Sequence, residues 1–243
     1  MADQSMVSSI KPAGPSEKVR NWLDLPVGVM HRIFLKVGAI DIIFSAQAVC
    51  TEWRNISKEP LLFHYIDMRL STTTLFKKYA FSRRNKICKP DLVETAKIAV
   101  DRSCGQMVEF TMGDFGTDEL LAYIADRSDS LKLLRLVSCN KVSARGLTNI
   151  SNKVPMLEKL EIVHCYFLAQ TLEAIVESFP RMKSFMLVSH FDDIIDDDFD
   201  AEVISKNMPE LRHLCLRGNQ LTSLGLYSII LSCPHLKSLN LRD

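Results

Sequence analysis

From Leu131 to the end of the chain, one pattern keeps returning. The segments LKLLRLVSC, LEKLEIVHC, MKSFMLVSH, LRHLCLRGN and LKSLNLRD begin at Leu131, Leu157, Met182, Leu211 and Leu236, at spacings of 26, 25, 29 and 25 residues. Positions one, four and six of every segment are apolar, and a proline (Pro155, Pro180, Pro209, Pro234) precedes each later one. A fainter copy, GQMVEFTMG, begins at Gly105. Apolar residues at positions four and six fall on one face of an extended strand. Helical spacings lie between the strands: Leu147, Ile150 and Val154; Leu172, Ile175, Val176 and Phe179; Leu224, Leu226, Ile229 and Ile230. The prolines end each helix and set up the extended chain that follows. One strand–helix unit cannot bury its own apolar face, whereas a stack of them builds a continuous core. The expected class is therefore α/β, a short solenoid with parallel strands on its concave face and helices on its convex face. A non-repetitive α/β domain would not phase five segments and four prolines in this way.

These segments resemble leucine-rich repeats of the kind that carry Cys or Asn at position nine, here Cys139, Cys165 and Asn219. Ahead of them, two amphipathic helices are predicted between residues 25 and 57. In the first, Leu25, Val29, Ile33 and Val37 form the stripe, with Pro26 in the opening turn and Gly38 as the stop. In the second, Asp41 is the N-cap and Ile42, Ala46, Val49, Cys50 and Trp53 the stripe, with Pro60 closing the unit. Leu23, Met30, Phe34, Ile43 and Phe44 lie beside these stripes, and some are expected to form an exposed apolar patch.

The wording LDLPVGVMHRIFLKVGAIDIIFSAQAVCTEWRNI resembles an F-box. It has Leu-Pro at 25–26, Ile33-Phe34, an apolar pair after Asp41, Val49-Cys50 and Trp53-Arg54. One departure is Gly28-Val29, where many F-boxes carry an acidic residue. A small all-helical F-box module followed by repeats is similar to plant F-box/LRR proteins of the Skp-interacting type. That resemblance implies a substrate receptor of an SCF ubiquitin ligase, whose F-box docks on a Skp-family adaptor and through it a cullin. It places Leu25, Pro26, Ile33, Phe34, Val49 and Trp53 in adaptor binding, with Trp53 packed partly inside. The divisions expected are a flexible leader at 1–18, the F-box at 19–68, a basic linker or helix at 69–91 and repeats at 92–243. The rival reading is a non-catalytic repeat scaffold, or a truncated decoy. Its motive is that the last segment stops one strand into a repeat, without the polar cap that solenoids normally carry.

Composition narrows the function classes. Thirty basic against 29 acidic residues give a net charge of +1, so bulk charge does not favour nucleic acid or membrane. The first twenty residues lack the apolar centre of a secretory signal, and no apolar run reaches membrane-spanning length, so an intracellular protein of nucleus or cytoplasm is expected. Seven scattered cysteines predict free thiols, with Cys139 and Cys165 as core residues. Phosphate-loop, HExxH, GxSxG and CxxC motifs do not occur, so the expectation is no enzyme, no cofactor and no metal.

If positions one, four and six point inward, positions three, five, seven and eight face the concave side. From these come the substrate-binding candidates Arg135, Glu161, His164, Met186, His213 and Arg217. Five strands at about 4.8 Å make a ribbon about 20 Å wide, suited to a protein or peptide. Two charged stretches are read as solvated. FDDIIDDDFDAE has Asp196, Asp198 and Asp200 at calcium-loop spacing, but Ala201 and Asn207 stand where Gly and Glu are required. KKYAFSRRNKICK mixes Lys77, Lys78, Arg83, Arg84 and Lys86 with Tyr79 and Phe81, and is read as an exposed helix face rather than a nucleic-acid site.

Overall fold

The computed structural model describes residues 22–69, 91–167, 169–189, 198–218 and 221–241. The expected leader, the basic stretch at 77–89 and most of the acidic run lie outside the described residues.

The chain enters through a 3-10 turn (Trp22–Asp24) into helix α1 (Val27–Val37). Gly38, at φ 84°, ends α1 by donating its N–H to the Phe34 carbonyl. It also caps α2 (Ala39–Phe44), three residues before the predicted cap at Asp41. The predicted second helix is broken. Ala46–Ala48 form a 3-10 turn, and α3 (Thr51–Ile56) starts afresh from an extended Cys50 whose sulfur accepts the Trp53 N–H. Pro60 opens another 3-10 turn (Pro60–Phe63) rather than closing the unit.

The inward face of α1 also departs from the prediction. Met30 and Phe34 are its buried residues, Ile33 is half-buried, and Val29 and Val37 are exposed. Apolar residues every four positions advance about 40° per step around a helix, so the 25–29–33–37 series is a spiral rather than a stripe. The line that α2 and the Pro60–Phe63 turn cover is the one that becomes core. Met30, Phe34 and Ile43 therefore leave the expected exposed patch.

Among the described residues, the rest of the chain builds one parallel sheet of seven strands in sequential order. They are β1 (Tyr65–Asp67), β2 (Glu109–Met112), β3 (Leu133–Val137), β4 (Lys159–Val163), β5 (Ser184–Val188), β6 (His213–Arg217) and β7 (Ser238–Asn240). Between them run α4 (Leu92–Arg102), α5 (Asp118–Ala125), α6 (Ala144–Ile150), α7 (Ala169–Ser178), α8 (Phe199–Asn207) and α9 (Ser223–Ser232). Position-four residues pair rung to rung as Ile66, Phe110, Leu134, Leu160, Phe185, Leu214 and Leu239. All but Leu239 are buried. Each rung thus supplies what its neighbour lacks, the condition that makes a solenoid core continuous.

Three registers differ from the expectation. Phe110 pairs with Leu134, so the faint copy starts at Met107 and not at Gly105. From Met107 to Leu131 the connection is 24 residues, shorter than the later spacings of 25 to 29. Phe63, Ile66 and Met68, all buried, take positions one, four and six of a further rung, so β1 joins the sheet from within the stretch assigned to the F-box. In α9, Ile229 is buried as expected, but Leu224 and Ile230 are 78% and 53% exposed, and Gly225 joins Ile229 on the core face. Among the described residues α9 has a helix neighbour, α8, on one side only, and that side selects its buried face.

Adjacent repeats are also stapled at their turns. Asp118, at the start of α5, accepts from the Ser143 N–H and hydroxyl, and Ser143 in turn caps α6. Asp198 does the same for Thr222 ahead of α9. Gly146 and Gly225 leave the room: a Cβ at either would lie 2.0–2.2 Å from the aspartate oxygen. The [ST]-x-x-G pattern at 143–146 and 222–225 is the trace of this device in the sequence.

Candidate protein-binding surfaces

The helical module exposes more apolar surface than its size requires. Val27 and Val49 are 64% and 61% exposed, and Trp22, Val29, Leu35, Val37 and Leu61 are exposed as well. Of the residues predicted to bind the adaptor, Pro26 and Val49 are exposed, while Leu25, Ile33 and Trp53 are half-buried. Phe34 is a correction. It is fully buried, with the Trp53 ring edge-on at 5.2 Å, so it supports the surface from beneath and cannot touch a partner. Trp22 packs edge-on against Trp53 from the outside at 6.5 Å.

Arg102, at the end of α4, ties this module to the sheet. Its guanidinium donates to the Ser57 carbonyl and the Gln47 side chain at 3.1 and 2.7 Å, and it lies over the Phe63 ring. Burial lowers its pKa. Sequence periodicity carries no sign of such a tie, because the three partners lie 39 to 55 residues upstream.

On the sheet, the position-five row runs Asp67, Thr111, Arg135, Glu161, Met186, Cys215 and Asn240. Arg135 and Glu161 are neighbours in this row and form an ion pair with little exposure. Two predicted substrate contacts therefore already satisfy each other, and Met186 sits beside them, half-buried. Cys215 is buried rather than outward. Asp67 is paired with Arg69 at 2.6 Å. Burial pushes its carboxyl up, but hydrogen bonds from Arg69 and the charges of Arg69 and Arg135 outweigh that and hold it below the ordinary value. Asp67 was not legible in the sequence because β1 falls in the stretch assigned to the helical module, nor was Thr111, because the faint copy starts at Met107 and not at Gly105.

Position seven stacks Val137, Val163 and Val188, all half-buried, against an exposed Arg217. His213 is exposed at position three, its Nδ1 hydrogen-bonded to the Ser238 hydroxyl at 2.9 Å. Leu133 at the same position is buried instead of outward. His164 lies off the strand. With Ser138 and Gly218 it occupies position eight, where φ is +52° to +70° and the chain turns away from the sheet. The structure thus gathers Arg135, Glu161 and Met186 in one row, and His213 and Arg217 on one strand, and sets His164 at the rim.

The position-nine sulfurs are structural. Cys139 Sγ lies 3.0 Å from the Gly113 carbonyl, and Cys165 Sγ accepts the Cys139 N–H at 3.3 Å. The contact with Cys165, together with burial, pushes the Cys139 thiol far above its ordinary range, away from nucleophilic thiolate. Among the described residues, no helix is long and apolar enough to cross a membrane.

Residues 22–65 match the F-box domain. F-box/LRR-repeat protein 23 of Arabidopsis thaliana is 39% identical over 93% of this chain, which spans only about half, 49%, of that relative. F-box/LRR-repeat protein 22 of the same plant is 35% identical over 93% of the chain and 70% of its own length. The F-box protein SKIP19, also from Arabidopsis thaliana, is 36% identical over 98% of the chain and 74% of its own length. A helical F-box leading into a stack of parallel strands and helices, shared along nearly the whole chain with such relatives, makes this chain a member of the plant F-box/LRR-repeat family.

Proposed function

We propose that the chain is a substrate receptor of an SCF-type ubiquitin ligase, acting inside the cell. The helical module docks on a Skp-family adaptor, and the repeats hold the protein to be modified. The observation that carries this reading is the contrast within one chain. Val27, Val29, Leu35 and Val49 leave apolar side chains in solvent on a module too small to stand comfortably alone, beside a sheet whose outer rows carry mixed charge and Val–Met surface.

Within this reading, Leu25, Pro26, Ile33 and Val49 meet the adaptor, with Trp53 over Phe34 as the platform beneath. Arg135, Glu161, Met186, His213 and Arg217 face the client. The chain contributes no chemistry of its own. It raises the effective concentration of a client lysine near a charged conjugating enzyme. The test is recovery of a Skp-type adaptor by the wild type and by a Leu25/Pro26 double alanine variant, with Val49→Glu as a surface control that leaves the core intact. Recovery is expected to fall in both variants. Equal recovery by all three proteins would sink the reading.

A further inference from the structure

The residues at position two of each repeat form a second row, just before the strands. Their backbones are bonded rung to rung: Glu158 N to Lys132 O, Lys183 N to Glu158 O, Arg212 N to Lys183 O and Lys237 N to Arg212 O, at 2.8–3.0 Å. Four of these five rungs are cationic. Lys132, Arg212 and Lys237 are exposed, and Lys159, next to Glu158, adds a further exposed cation. The single acid, Glu158, is taken up by Lys183 at 2.5 Å. That hydrogen bond holds its carboxyl below the ordinary value, with the charges of Lys183, Lys132 and Arg212 adding to it. Asp129 and Glu210 lie upstream of the row, as does Arg181. On a chain of net charge +1, this is a local concentration of positive charge that the composition hides.

We propose that this ladder is a docking strip for an extended, carboxylate-rich segment of the client protein. Rungs about 4.8 Å apart make the strip about 19 Å long, the reach of about six extended residues. Lys132, Arg212 and Lys237 form no ion pair among the described residues, so an acidic segment gains their charge without breaking an existing pair. Nucleic acid fits less well. Positions one to three of the five rungs hold no Phe, Tyr or Trp on which a base could stack, and Glu158 interrupts a track for regularly spaced phosphates. Only the identity of the occupant rests on the receptor reading. Binding is read directly on the isolated full chain, so loss of the adaptor interaction leaves this proposal standing, and the reverse holds too.

The experiment is fluorescence anisotropy of a labelled Glu–Ser repeat peptide, with a Gln–Ser peptide as control. The acidic peptide is expected to bind, the control not, and affinity to fall as salt rises from about 50 to about 300 mM. The Lys132→Glu/Arg212→Glu double variant, at exposed positions, is expected to weaken binding about tenfold. Glu158→Gln, which removes the acid from the row, is expected to tighten it about threefold, and it gives a readout of opposite sign should the double variant fail to fold. Equal binding of both peptides, indifference to the charge changes in variants that melt normally, or displacement of the acidic peptide by a single-stranded oligonucleotide or phosphatidylserine vesicles at lower concentration would each overturn the proposal.

Discussion

The helical module and the repeats bury their apolar residues by different rules. In the repeats each rung meets a neighbour of the same shape, so positions four and six of β2 to β6 are buried in every case. In the module, α1, α2 and α3 meet no repeated neighbour and leave several valines in solvent. Regular stacking makes burial a property of the sequence period, whereas a small irregular core makes it a property of the particular contacts.

The sharpest way to break that comparison is to hollow out each region in turn. Phe185→Ala in the stack and Phe34→Ala in the module are each expected to cost about 3–5 kcal/mol in urea unfolding. Both tryptophans, Trp22 and Trp53, lie in the module, so fluorescence reports it alone while far-ultraviolet circular dichroism follows the whole chain. Phe34→Ala is expected to move the fluorescence midpoint ahead of the dichroism midpoint. Coincident midpoints would mean that the two regions unfold as one.

Next in size is the tie between them. Arg102→Ala removes the bonds to Ser57 and Gln47 and is expected to cost about 1.5–3 kcal/mol, read in the same experiment as a wider gap between the two probes. Lysine should restore little, because it lacks the planar fork. Two glycines then contrast the regions directly. Gly218→Ala forces a side chain into φ +70° with its Cβ 2.6 Å from the Ser189 carbonyl oxygen, and should cost about 1–3 kcal/mol. Gly28→Ala, in α1 with nothing within 4 Å, should gain about 0.5–1 kcal/mol of thermal stability.

The staples give a pH signature. The Thr222 hydroxyl and N–H hold the Asp198 carboxyl below its ordinary value. A depressed folded-state pKa stabilises the fold above the unfolded value, and the contribution disappears as pH falls through the folded one. Asp198→Asn should therefore melt below the wild type at neutral pH, with the gap closing in acid. The smallest effect on stability is expected from Val49→Glu, within about 0.5 kcal/mol, whereas the proposed function expects it to lower adaptor recovery. A large loss of stability would place Val49 in the core and erase the contrast between the regions.

The stack was readable from Leu131 onward because a residue every two positions, repeated every 25 to 29, leaves few alternatives for a chain that must bury it. Periodicity also located the outward rows. It could not say that Arg135 and Glu161 would satisfy each other, or that Cys215 would turn inward, since both depend on the neighbouring strand. The module's family was legible in its wording, but its inward face was not: choosing Met30 and Phe34 over Val29 and Val37 took the packing of α2 and the Pro60–Phe63 turn.

By itself, then, the sequence determined that short strands and helices alternate and that positions four and six from β3 onward face inward, because a two-residue alternation admits only two faces. Tertiary structure decided where the sheet begins, placing Phe63, Ile66 and Met68 as its first rung, and which face of α1 and of α9 is covered. A helix offers a continuous circle of directions, and only the element packed against it selects one.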